Sequence, residues 1–205
     1  MKRYRLLFLV FCAMLSACSV LPQSEPLRIY RLPSQLAPAT ATAPVEWSLR
    51  VGTPLTSRVL DSARIAVMPE GDRISSYQGA RWSDSAPALV RDRLIEAFHD
   101  DGRVQRLSSD ENRLHADLEL VSDLRAFQSE YRDGTPHVVI RLDARLVRSA
   151  NQRIVASRRF EVSEPSQGVA VEEVVRAFGR AADALGRQIV DWTLAQEGAA
   201  VAPVR

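Results

Sequence analysis

A chain of 205 residues is long enough for one sizeable hydrophobic core and sits near the usual limit of a single domain, so one domain is expected. Its formal charge of +2 comes from a terminal cluster: without Lys2, Arg3 and Arg5 the balance falls to −1 (27 basic residues less these three, against 25 acidic), so the basic pI is no argument for nucleic acid binding. Both cysteines, Cys12 and Cys18, lie near the N-terminus and leave no thiol for a disulfide in the rest of the chain, so the fold must stand on its core.

Lys2, Arg3 and Arg5 precede an apolar run from Leu6 to Leu15, the layout of a secretory signal. The run is far shorter than the roughly 20 residues needed to cross a bilayer, which disfavours a retained transmembrane helix. The run closes on Leu15-Ser16-Ala17-Cys18, a quartet that resembles the lipobox of bacterial lipoproteins. That resemblance implies cleavage between Ala17 and Cys18, a diacylglyceryl group on the Cys18 thiol and acylation of the new amine. Each buried methylene contributes about 0.8 kcal/mol and one chain holds only marginally, so two or three chains form a durable anchor. A plain signal peptide with an incidental Cys is the competing reading. Ser19 is not Asp, which by the enterobacterial sorting rule favours the periplasmic face of the outer membrane over the inner membrane.

Residues 1–17 are thus read as signal peptide, 18–26 as lipidated Cys and tether, 27–197 as the folded domain and 198–205 as a frayed tail. Ser19 to Pro26 is small, polar and Pro-containing, and can reach at most about 28 Å when extended, which keeps the domain at the membrane surface. Leu27 to Leu32 alternates as a short first strand, and Pro33 to Pro44, rich in Ala, Pro and Thr, is expected to be an exposed loop. Trp47, Leu49 and Val51 mark a second strand ending at Gly52 and Pro54.

Ala63 to Met68 and Arg73 to Tyr77 flank Pro69-Glu70-Gly71-Asp72 and predict a hairpin, followed by an irregular stretch from Gln78 to Trp82. Ser83-Asp84-Ser85 offers N-caps, Pro87 suits a first turn, and Ala86, Val90, Leu94, Ala97 and Phe98 recur at helical spacing up to a stop at Gly102. Leu114, Ala116, Leu118 and Leu120 predict a strand with one buried face. So do Val138, Ile140, Leu142, Ala144 and Leu146, and, after a turn at Asn151, Ile154, Ala156, Phe160 and Val162. These strands are expected to be neighbours at the heart of the sheet. Val171, Val174, Phe178, Ala181, Leu185, Ile189 and Trp192 then line one face of a long helix laid across it. The expected fold is a single α+β domain: a mixed, largely antiparallel sheet packed by two main helices, after an N-terminal lipoprotein signal.

No H-E-x-x-H or H-x-x-E-H spacing joins His99, His115 or His137, and no P-loop, G-x-G-x-x-G or G-x-S-x-G occurs. The chain reads as non-catalytic, without a metal and with no cofactor beyond the covalent diacylglycerol and acyl chains on Cys18. Tyr77, Arg81 and Trp82 cluster beside the irregular stretch, and two readings apply. Trp82 staples the helix start into the core, or this edge receives a partner, since aromatic and Arg residues are enriched in binding hot spots.

Several segments, in order, carry a family resemblance: Tyr30-Arg31-Leu32, Leu49-Arg50-Val51, Leu60-Asp61 with Arg64 to Val67, and Tyr77 to Trp82 leading into Leu89-Val90. Leu124 to Phe127, Val139 to Leu146, Arg158 to Phe160 and the terminal helix through Trp192 continue the series. Together these resemble the PqiC-like ABC-type transport auxiliary lipoproteins, which accompany transporters built around MCE-domain proteins. Departures are the lengthened loop at Pro33 to Pro44 and Ala126-Phe127, where the family often has Phe followed by Glu. The resemblance implies a periplasmic, non-catalytic subunit that docks an MCE-domain protein at the outer membrane and supports movement of phospholipid or another hydrophobic molecule between membranes. It implies no nucleic acid. A homo-oligomer matched to a ring-forming MCE partner is compatible with it, although no residue demonstrates one. The alternative is an envelope lipoprotein that binds and regulates a cell-wall or outer-membrane assembly enzyme, because an anchored α+β domain would look much the same.

Overall fold

The computed structural model describes residues 26–35 and 43–196; the lipobox, the middle of the Ala/Pro/Thr loop and the tail expected at 198–205 lie outside the described residues. The spine of the sheet is an antiparallel meander of β7 (Leu118–Arg132), β8 (Thr135–Arg148) and β9 (Arg153–Pro165), in which neighbouring strands pair along nearly their whole length. Side-chain alternation is the cause: in β8, Val138, Ile140, Leu142, Ala144 and Leu146 are all buried, while Arg141, Asp143 and Arg145 project from the opposite, open face.

Along its other edge β7 receives three short strands in chain order, all parallel to it. β2 (Leu49–Val51) lies opposite Leu118 to Leu120, β3 (Leu55–Thr56) opposite Asp123 and Leu124, and β4 (Arg64–Glu70) opposite Gln128 to Glu130. β4 turns through Gly71, whose φ of 51° suits a glycine, into β5 (Arg73–Trp82), the predicted hairpin. β1 (Arg28–Tyr30) adds to β5 in parallel, and β6 (Leu107–Ser109) adds to β2 in parallel. The result is a nine-stranded mixed sheet whose longest ladders are antiparallel, packed by two helices, as expected from the residue pattern.

Helix α1 (Ala86–Asp101) begins with proline in its first turn and stops at Gly102, whose φ of 77° and N–H to the Phe98 carbonyl form a left-handed cap. Ser85 is the N-cap residue, but its side chain makes no capping hydrogen bond. Helix α2 (Val171–Leu194) buries every residue of the predicted stripe, from Val171 through Trp192, against β8, β9 and α1. Close approach is allowed by two glycines on this helix. A Cβ at Gly179 would stand 2.8 Å from the Pro33 carbonyl oxygen, and one at Gly186 would stand 2.8 Å from the Ala97 Cβ.

Two sequence expectations are corrected. Residues 78–82 are not irregular but form the second half of β5. The signal was obscured because the pairing shifts there, from Arg64↔Arg81 to Ala66↔Ser76, with Gly79 at a φ of 63° inside the bulge. The strand predicted from Leu114 starts only at Leu118. Arg113 takes a φ of 51° after the 3-10 turn Asp110–Asn112, Leu114 is 57% exposed, and Asp117 pins the strand start by accepting hydrogen bonds from the Ser48 N–H and Oγ. The strand then runs on to Arg132.

Candidate interaction site at the first sheet edge

The three residues singled out from sequence lie on one strand, β5, but in different surroundings. Trp82 is fully buried. Its ring packs edge-on to Phe178 of α2 at 5.1 Å between centroids and tilted against Phe127 of β7 at 5.9 Å, and Phe127 meets Phe178 at 4.8 Å. Its backbone N–H donates to the Ala63 carbonyl, and the next N–H, of Ser83, donates to the Tyr30 carbonyl. Trp82 is therefore the staple of the α1 start into the core, and the reading in which its side chain meets a partner is corrected by this burial. Arg81 points the other way and is exposed.

Tyr77 is half-buried and donates from its hydroxyl to Ser129 Oγ at 3.2 Å. Burial pushes its phenol up to about 12, against the lowering effect of the Ser129 hydrogen bond. A raised folded value means that the neutral form is favoured by folding. Tyr77 therefore contributes its full stabilisation below the ordinary phenol value of 10.0 and loses it as the pH rises toward 12. Ultraviolet difference titration of the protein against Tyr77→Phe should show a phenol ionising at about 12 that is missing from the variant, with a stability decline between those pH values that is smaller in the variant.

The edge strand itself is clamped to the rest of the domain. Glu172, in the first turn of α2, accepts from the Tyr30 hydroxyl and from Arg28 Nη1, both at 2.7 Å. The Tyr30 hydrogen bond leads, with the Arg28 charge, in holding the Glu172 carboxyl below its usual range. Beyond β1, the chain is held by a network that sequence reading did not find. Arg93 of α1 and Asp183 of α2, both buried, pair at 2.8 Å. Arg93 Nη2 also donates to the carbonyls of Leu32 and Pro33, while Asp183 accepts from the Gln35 N–H. This fixes segment 32–35 against both helices.

On the open face of β7 to β9, Asp123 and Asp143 stand directly opposite one another, a costly juxtaposition by itself. Arg145 pairs with Asp123, and Arg159 and Arg125 both pair with Asp143, which holds the Asp143 carboxyl well below the usual range. Arg141 and Glu161 continue the ladder. Among the described residues no group of three or more His, Cys, Asp or Glu side chains is placed to hold a metal, and no helix is long and apolar enough to cross a membrane.

Residues 30–190, from β1 nearly to the end of α2, match the model of the family described as the ABC-type transport auxiliary lipoprotein component. The chain belongs to this family. The match is to the family that the ordered segments of the sequence resemble. An uncharacterized protein of Bradyrhizobium diazoefficiens is 34% identical over 166 residues, covering 80% of this chain and 43% of that protein, so the chain spans less than half the length of this relative. A crystal structure of a protein from Xanthomonas campestris superposes with a TM-score of 0.77 at 33% identity, covering 83% of this chain and 96% of that one. Another crystal structure, of an uncharacterized protein, shares the fold with a TM-score of 0.65 at 16% identity, over 82% of this chain and 99% of its own. The fold is thus shared over most of the chain.

Proposed function

We propose that the protein is the lipid-anchored subunit of an MCE/ABC-type system that moves lipid between the two membranes, and that it docks the MCE component at the periplasmic face of the outer membrane. The observation that carries this reading is the family match across residues 30–190, which takes in every described element from the Tyr30 end of β1 to the body of α2. The division of labour follows from the parts. Acyl chains on Cys18 hold the chain to a leaflet, eight residues of tether keep β1 near that leaflet, and the rigid sheet-and-helix body presents a docking surface. The chemistry of transport and ATP hydrolysis is supplied by the other subunits. Membrane attachment through Cys18, placement at the outer membrane and assembly into a homo-oligomer belong to the same proposal.

Affinity purification from crosslinked envelope, with partners identified by mass spectrometry, tests it. Wild-type protein should recover an MCE-domain protein, and Cys18→Ala should recover much less of it because the bait is no longer held at the membrane. Recovery of a cell-wall synthase or an outer-membrane assembly enzyme with no transporter component would overturn the docking role.

A further inference from the structure

The open face of the sheet has two halves of opposite electrostatic character. Over β7 to β9 its arginines are neutralised by Asp123, Asp143 and Glu161. Over β4, β5 and β1 they are not. Arg64 of β4, Arg81 of β5 and Ile29 of β1 occupy one cross-strand row, by the pairings Arg64↔Arg81 and Ile29↔Arg81. The residues flanking this row point inward, with Ile65 and Trp82 at 0% exposure, so Arg64, Arg81 and Ile29 face away from the core. Two cations directly opposite one another repel, and among the described residues neither is joined by a carboxylate.

Beside this row lies a surface hollow of about 620 Å³ whose lining includes Arg58, Val59, Ser62, Arg64, Ile74 and Ser76. Arg58 likewise has no ion-pair partner among the described residues, and Asp61, in the same turn, does not line the hollow. Serine hydroxyls and guanidinium groups are donors suited to phosphate oxygens. Exposed aliphatic side chains stand among these donors: Val59, 51% exposed, and Ile74, 39%, line the hollow, while Ile29 in the arginine row is 57% exposed and Leu27, two residues before it, 51%. Free cations set among exposed aliphatic side chains match the two layers of an anionic bilayer surface, phosphate outside and hydrocarbon beneath. The position of the face agrees. β1 forms this edge of the sheet and is the first described strand, and only Ser19 to Pro26 separates its approach from Cys18.

We infer that the β1–β5–β4 face, centred on Arg58, Arg64 and Arg81, rests on the phosphate headgroups of anionic phospholipids in the leaflet that holds the acyl chains. This rests on the anchored reading proposed above and adds an orientation to it. The open face near the anchor is turned to the bilayer, and α1 and α2, on the other side of the sheet, are left to meet the periplasm.

The acylated full protein, reconstituted in vesicles, decides the matter. Because Cys12 leaves with the signal and Cys18 is acylated, Ile74→Cys introduces a single thiol for a fluorophore, and Ile154→Cys on β9, at the far end of the sheet and 53% exposed, provides the control. Vesicles of phosphatidylcholine alone are compared with vesicles of equal parts phosphatidylcholine and phosphatidylglycerol, each carrying a headgroup spin label as quencher. The label at 74 should be quenched strongly in the phosphatidylglycerol vesicles and weakly in the others, the label at 154 weakly in both, and raised salt should reduce the difference. Combining Arg58→Gln, Arg64→Gln and Arg81→Gln should abolish the phosphatidylglycerol-dependent part, while Arg153→Gln with Arg187→Gln should leave it intact.

Equal quenching at 74 and 154, no dependence on phosphatidylglycerol, or full quenching in the triple variant would overturn the inference and return this face to the set of protein-docking surfaces. Abolition of quenching by inorganic phosphate, but not by chloride at the same ionic strength, would reassign the hollow to free phosphate. Flotation with phosphatidylcholine vesicles reports the acyl anchor separately, so a failed anchor and a failed face give different results.

Discussion

Asp183→Ala is expected to lower the free energy of unfolding by about 3–5 kcal/mol, because it leaves the Arg93 guanidinium buried with its nearest enclosed counter-charge removed. Arg93 and Asp183 are each only 5% exposed at the side chain. Glu96, one turn along α1, also approaches Arg93, at 3.3 Å, but it is half exposed and cannot replace a carboxylate enclosed by the protein. The loss spreads through the network. Asp183 accepts from the Gln35 N–H, and Arg93 holds the carbonyls of Leu32 and Pro33, so the segment leading out of β1 is released together with the contact between α1 and α2. Asp183→Asn keeps the shape and an acceptor for Gln35 but not the charge, and should fall between the alanine variant and wild type.

Urea denaturation followed by tryptophan fluorescence reads both variants, and the exposed pair Arg141 and Glu161 is the comparison. Glu161→Gln should cost at most about 1 kcal/mol, since solvent screens a surface pair and ordering two long side chains offsets its attraction. A loss in Asp183→Ala no larger than in Glu161→Gln would show that the pair is hydrated and that segment 32–35 is not held by it.

How far the fold was legible tracks local pattern closely. The α2 stripe from Val171 to Trp192, the α1 stop at Gly102 and the alternation of β8 are written in consecutive residues, and the structure reproduces them, whereas in β9 the predicted face is buried only at Phe160 and Val162, Ile154 being 53% exposed beside the register shift at Leu146 and Val147. The second half of β7 was not legible because a bulge at Arg125 breaks the alternation and buries Ala126, Phe127, Gln128 and Ser129 in succession, where period two predicts every other residue. A signal was nevertheless present: Asp133-Gly134, with φ of 50° and 77°, is the dipeptide favoured in a tight hairpin turn. The short strands β2, β3 and β6 carry little pattern of their own and exist because long neighbours accept their backbone groups.

The Arg93–Asp183 network joins positions 60 to 148 residues apart in sequence, which no window can connect. Its trace was an arginine within the buried face of α1, a placement that demands a partner. Tyr77, Arg81 and Trp82 do share one strand, but the sequence could not separate the exposed Arg81 from the buried Trp82. Which of two neighbours faces inward depends on the register of β5 across its bulge.

Trp82→Ala should therefore destabilise the domain by about 3–5 kcal/mol, the range for removing a large buried aromatic side chain from a close-packed core. Its ring is the meeting point of the sheet and α2, and deletion leaves Phe127 and Phe178 each without one neighbour. The backbone at residue 82 also ties β5 to Ala63, and that at Ser83 ties the start of α1 to Tyr30, so the void cannot collapse without moving those ladders. Trp82→Phe should cost less. It restores ring contact and removes an indole N–H that has no hydrogen-bond partner among the described residues, which offsets part of the lost volume. Arg81→Gln, one residue away on the opposite face, should change stability by no more than about 0.5 kcal/mol. Thermal and urea denaturation of the three variants separate the roles: a large loss for Trp82→Ala alone assigns Trp82 to the core and leaves Arg81 free for the bilayer, whereas comparable stability in all three would mean that the ring is not the element joining sheet and helix. The two neighbours thus divide between the faces of one strand, with the stability of the body on one side and its surroundings on the other.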